Sequence, residues 1–96
     1  MARTEPFDAA RYLTSPQSQE ELLNDAFASG DARYVSQALG VIARARGMTE
    51  VAREAGVTRE ALYKALSENG DPRLTTLLGV ARALGVTLKA HVDAGR

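Results

Sequence analysis

A single glycine, Gly56, divides the stretch MTEVAREAGVTREALYKALS, Met48 to Ser67, into two short amphipathic helix patterns. A chain that stops one helix and starts another within three residues must turn sharply there. Such a turn needs a small residue where the helices cross, a residue tolerant of left-handed backbone, and apolar side chains that lock the crossing. Ala52, Gly56 and the set Val51, Ala55, Val57, Leu62 and Ala65 supply these, with the glycine four residues after the alanine and six before Leu62. The pattern predicts a helix-turn-helix over 48–69. With the apolar positions turned inward, Thr58, Arg59, Glu60, Tyr63, Lys64 and Ser67 remain on the outer face of the second helix, about one major groove wide.

The same punctuation organises the rest of the chain. FDAARYL reads as a short first helix with Asp8 as N-cap, and Ser15 followed by Pro16 opens a second, with Leu22, Leu23, Ala26 and Phe27 on one face until Gly30. Asp31 opens a third, in which Val35, Ala38, Leu39, Ile42 and Ala43 recur at helical spacing and Gly47 ends the run. Gly40 inside it weakens the helix by about 1 kcal/mol relative to alanine, or permits close approach of a neighbour. Thr49 and Thr58 are the expected caps of the two motif helices, the second running to about Asn69 before the ENGDP stop. The last helix, over 72–85, carries Leu74, Leu77, Leu78, Ala81 and Leu84 on one face. From Val86 the period changes: Val86, Leu88, Ala90 and Val92 alternate with Thr87, Lys89, His91 and Asp93, a strand pattern over 86–93. The expectation is one all-α domain over 1–96, a bundle of about five to six helices with a short C-terminal β-strand, residues 1–6 and the last three being disordered.

Composition narrows the chemistry. Ninety-six residues suit one core and no large enclosed active site. With no cysteine and one histidine, neither a disulfide framework nor a thiolate or paired-histidine metal site is available, and no cofactor or metal is expected. No nucleophile, base and orienting group assemble around His91, and no glycine-rich phosphate loop follows a strand, so the chain does not read as an enzyme. The absence of a signal-like or membrane-length apolar run points to a cytoplasmic protein that does not engage membranes. Net charge is zero, yet residues 1–43 carry three basic and six acidic groups, and residues 44–96 carry nine basic and six acidic. A local basic face therefore survives the neutral total.

Candidate DNA contacts follow from that face. Thr58, Arg59, Glu60, Tyr63 and Lys64 lie on the outer side of the recognition helix, while Arg44, Arg46 and Arg73 flank it as phosphate contacts. Glu60 and Lys64 also have the spacing of a surface ion pair, and Arg44 and Arg46 that of residues favouring a helix C-terminus.

The block GMTEVAREAGVTREALYKALSENGDPRLTTLLGVARALGVTLKA, with FDAARYL and ALGVIARARG upstream, resembles the addiction-module antidote family, a branch of the lambda-repressor-like (Xre/Cro-type) DNA-binding proteins. The resemblance runs from Phe7 to Ala90. It implies a lambda-repressor-like bundle and the antitoxin of a type II toxin–antitoxin module, one that neutralises a RelE/ParE-type toxin by direct binding and represses the shared operon as a homodimer on palindromic operator DNA. Thr58, Arg59, Glu60, Tyr63 and Lys64 match the family's recognition-helix positions. VIARARG is followed directly by MTE, without the TQ common at that helix start, which leaves Thr49 to take part of the missing glutamine's role. Two other readings stand beside this one: a stand-alone repressor without a toxin, and a protein-interaction adaptor with a vestigial helix-turn-helix. For the dimer, the sequence suggests antiparallel self-pairing of the tail, with the last helix and the Ile42 region completing the interface, and a strand edge of the toxin as the competing partner.

Overall fold

The computed structural model describes residues 15–95, and these form five helices: α1 (Pro16–Ser29), α2 (Ala32–Arg46), α3 (Met48–Ala55), α4 (Arg59–Ala65) and α5 (Leu74–Ala83). The expected FDAARYL helix and the expected disorder of residues 1–6 lie outside the described residues.

Capping chemistry sets most of the boundaries. Ser15 Oγ accepts the Ser18 N–H at 3.1 Å ahead of Pro16, whose missing donor costs nothing at the first helical position. Asp31 Oδ1 accepts the Arg33 N–H at 2.9 Å to start α2, and Thr58 Oγ1 accepts the Ala61 N–H at 3.0 Å to start α4. Thr49, expected as the cap of α3, is instead its second residue; Gly47 holds the cap position and makes no side-chain bond. Gly47 both ends α2 and begins α3, so no room is left for a separate capping threonine. Gly56 adopts φ +77°, and the Val57 N–H reaches back to the Ala52 carbonyl at 3.0 Å. That left-handed closure ends α3 and aims the chain into α4.

The core joins all five helices. Leu39, Ile42, Val51, Leu62 and Val80 are completely enclosed, with Leu23, Ala26, Met48, Leu66 and Leu84 around them. Burial of each large aliphatic side chain contributes about 1.5–3 kcal/mol. α3 packs most extensively on α5, while α1 packs on α2. The α3–α5 contact is close because Gly79 faces Ala55: a Cβ there would stand 3.0 Å from the Ala55 carbonyl oxygen.

Four expectations need correction. The second motif helix ends at Ala65 rather than near Asn69, because Gly70 folds back so closely on the open end of α4 that a Cβ would overlap the Ala65 carbonyl. The last helix is Leu74–Ala83 rather than 72–85, and its outer apolar positions are not all inward: Leu74 is 68% and Leu78 46% exposed, while Gly79, Val80 and Ala83 face the core. Ile42 is fully enclosed, so its side chain is core and not available to an interface. No strand occurs among the described residues, 86–93 included. A strand needs a second strand to satisfy its backbone groups, and the described residues offer none. Val86, the first residue of the alternation, instead donates its N–H to Ala81 at 2.8 Å and closes the end of α5.

Gly40 resolves in favour of close approach. A Cβ there would lie 2.8 Å from the Leu66 carbonyl oxygen and 3.3 Å from Arg44 Nη1. Gly40→Ala should therefore destabilise the protein by about 1–3 kcal/mol through overpacking, despite alanine's better helix propensity. Thermal denaturation followed by circular dichroism tests this; an unchanged or raised midpoint would show that the α2–α4 contact yields freely.

Candidate nucleic-acid interface

The turn at Gly56 leaves α4 with one buried side and one open side. Leu62 and, just past the helix, Leu66 are buried, whereas Thr58, Arg59, Glu60, Tyr63 and Lys64 are all exposed. Of the six residues expected on the outer face these five are there, while Ser67 lies beyond the helix end and donates its Oγ to the Lys64 carbonyl at 2.8 Å. Glu60 and Lys64, though correctly spaced for an ion pair, do not form one with each other.

Arg59 and Tyr63, one helical turn apart, act on each other. The Arg59 guanidinium lies over the Tyr63 ring, 5.3 Å from its centroid, and Nη2 donates to the Tyr63 hydroxyl at 3.4 Å. Both face an open cleft of about 410 Å³ whose other wall comes from the α2–α3 junction: Arg44, Gly47, Met48, Thr49 and Glu50. The structure thus brings Thr49, Arg59, Tyr63 and Arg44 to one concavity. Lys64 and Arg73 are exposed but do not line it.

Arg44 and Arg46 part company. Residues two apart on a helix point to nearly opposite sides. Arg44 faces the cleft, while Arg46 turns to α5 and donates from Nη1 to the Ala83 carbonyl and from Nη2 to the Leu84 carbonyl, each at 3.3 Å. Those are orphan acceptors at the end of α5, so Arg46 serves as a helix C-cap.

Glu50 is the cleft residue that sequence reasoning missed. Arg53 donates through Nη2 to both its carboxylate oxygens, and this hydrogen bonding, followed by the charge of Arg53, holds the Glu50 carboxyl below its ordinary range. Its i, i+3 spacing with Arg53 was the available signal. The carboxylate stays ionised and is balanced by Arg53, which leaves Arg44 and Arg59 to give the cleft its positive character. Between α2 and α1, the Tyr34 hydroxyl donates to Asp25, and that bond raises the phenol's pKa above its usual value.

No group of three or more His, Asp or Glu residues capable of holding a metal ion occurs among the described residues. Among them, no helix is long and apolar enough to cross a membrane. What the arrangement offers is donors: two guanidinium groups and the hydroxyls of Thr49 and Tyr63, set around a cleft open to solvent.

A chain from Haemophilus influenzae (strain ATCC 51907 / DSM 11121 / KW20 / Rd), described as an uncharacterized protein, is 44% identical over 85 residues, covering 88% of each chain. No solved structure matches. A family model described as "Probable addiction module antidote protein" matches residues 3–92, nearly the whole length, and the chain belongs to that family.

Proposed function

We propose that this protein is the antitoxin of a type II toxin–antitoxin module, binding operator DNA through a helix-turn-helix formed by α3 and α4, repressing its own operon and neutralising a RelE/ParE-type toxin. Membership of the antidote family supports the toxin partner in general. The observation that carries the DNA reading is the convergence of Arg44, Thr49, Arg59 and Tyr63 on one open cleft beside the exposed face of α4. α4 enters the major groove, with Arg59 reading a base edge and Thr58, Glu60, Tyr63 and Lys64 alongside. Arg44, Thr49 and Arg73 hold phosphates on either side.

One recognition helix spans too few base pairs for tight specific binding. The protein therefore acts as a homodimer on a palindrome whose half-site centres lie about 34 Å apart. The tail supplies the pairing: residues 86–93 carry alternating apolar side chains and have no strand partner among the described residues. Leu88 at 40% exposure and Val92 at 85% lie open to such a partner. The fold is, on this reading, lambda-repressor-like.

Titration of DNA from upstream of the gene by fluorescence anisotropy tests the proposal. Affinity should fall steeply with salt, by a slope of about 0.9 per phosphate contacted. A shallow dependence, or no binding, would leave an adaptor with a vestigial motif as the better reading.

Three arginine variants separate the roles. Arg59→Ala should relax preference at one base position at a cost of about 1–3 kcal/mol, while Arg73→Ala should weaken all sequences alike and reduce the salt slope by about one unit. Arg46→Ala should lower thermal stability and leave the affinity of the folded protein unchanged. Identical behaviour of the three across a panel of sites would overturn this sorting.

Deleting residues 86–96 should convert dimer to monomer in sedimentation and weaken operator binding, with helical content nearly unchanged. A truncated protein that still sediments as a dimer would move the contact to the helices.

A further inference from the structure

The sequence offers Tyr63 as one of the candidate DNA contacts on the outer side of the recognition helix. The geometry points to a different role: Tyr63 is a positioning residue, whose ring holds the Arg59 guanidinium ready to meet a base, so that it acts on DNA through Arg59. The inference rests on the DNA-binding reading of α4 and assigns the division of labour within it.

Arg59 is the first residue of α4, where the positive end of the helix dipole disfavours a cation. A carboxylate would be the simple way to hold it, yet the described ion pairs join Arg33 with Glu68 and Arg53 with Glu50. Its described contacts are both with Tyr63: the ring 5.3 Å away and the hydroxyl at 3.4 Å. The hydroxyl distance is long for a hydrogen bond, which places the weight on the ring face. Neighbouring Glu60 and Lys64 take no part in this contact.

A ring is better suited to this task than a carboxylate. A contact with the ring face leaves the guanidinium N–H donors, apart from the one that Nη2 directs at the Tyr63 hydroxyl, free to form a bidentate pair with a base, whereas an ion pair would occupy those donors and have to be broken. Prior stacking also removes rotamer freedom that a long exposed side chain would otherwise lose on binding. Tyr63 itself is anchored by its place on α4, between buried Leu62 and the helix end at Ala65, and is 42% exposed. Its ring therefore stands half out of the fold, as a platform at the edge of the cleft.

The test is a double-mutant cycle on the full chain, read by anisotropy against its upstream DNA and against an unrelated duplex of the same length. Tyr63→Leu should weaken specific binding about two- to fivefold, the equivalent of an exposed cation–π contact, and reduce the ratio of specific to unrelated affinity. Tyr63→Phe, which keeps the ring, should restore binding to within about twofold of wild type. In an Arg59→Ala background, Tyr63→Leu should have no further effect. In the DNA-free protein, the Arg59 side-chain resonances should show an upfield ring-current shift that Tyr63→Phe keeps and Tyr63→Leu abolishes. An unshifted Arg59, an equal loss from Tyr63→Leu with and without Arg59, or a Tyr63→Phe loss as large as that of Tyr63→Leu would each overturn the inference while leaving the DNA reading intact. Absence of any DNA binding by the wild-type protein would overturn both.

Discussion

The short helix α4 depends on backbone contacts at its C-terminal end that only glycine permits. Seven residues are too few for a helix to persist by itself in water, since nucleation is costly and few bonds follow it. Leu62 and Leu66 bury one side, but two leucines fix a helix's position better than its angle. The angle is set where the chain leaves the helix. The Leu66 carbonyl lies against Gly40 of α2, and Gly70 folds over the Ala65 carbonyl. Ser36 then holds that fold by donating its Oγ to the Gly70 carbonyl at 3.3 Å. A side chain at Gly40 or Gly70 would push the end of α4 outward, and the opposite end, which carries Arg59, would tilt with it. The placement of the cleft's α4 wall thus rests on Gly40 and Gly70, neither of which lines the cleft.

The arginines show how context, more than residue type, divides structural from ligand-facing charge. Arg46 meets two orphan carbonyls at the end of α5, Arg53 meets Glu50, and Arg33 meets Glu68 across an exposed pair worth only about 0–1 kcal/mol. Each has its charge answered within the chain. Arg44 and Arg59 line the cleft instead, and their positive charge is available to a ligand. A protein with no net charge can in this way present a basic surface, because many of its acidic groups lie elsewhere, among them Glu20, Glu21 and Asp25 on α1.

Much of this was legible in the sequence because it is written in local chemistry. Ser15, Asp31 and Thr58 are caps whose partners lie two or three residues away, and Gly30, Gly56 and Gly85 occupy left-handed turns just past helix ends. Of the apolar set of α2, Ala38, Leu39, Ile42 and Ala43 are buried and Val35 is partly so, as the spacing predicts. What was not legible depends on partners distant in sequence. Arg46 could be recognised as a cap only once α5 was known to end beside it, 37 residues later. The shortening of α4 follows from Gly70, whose approach to Ala65 no propensity encodes. Thr49 lost its capping role because Gly47 closes one helix and opens the next, a sharing that leaves no trace in periodicity. The candidate interface divides the same way: the outer face of α4 follows from period alone, but the grouping of Thr49 and Arg44 with Arg59 and Tyr63 requires the α2–α3 junction to fold back beside α4.

The C-terminal tail shows the limit of reading a single chain. Alternation of apolar and polar residues from Val86 to Asp93 is a statement about two faces, and a face has meaning only against something packed on it. In the isolated chain the tail starts from the end of α5, tied by the Val86 bond to Ala81, and makes no strand. Leu74 and Leu78, four residues apart and so on one side of α5, are also left open. A two-stranded pairing is marginal in water unless an apolar layer backs it. On the proposed dimer reading, the exposed leucines of α5 and the apolar side of the tail are two parts of that one requirement. The fold of the monomer accounts only for Val86, which packs against the core; Leu74, Leu78, Leu88 and Val92 stay outside it.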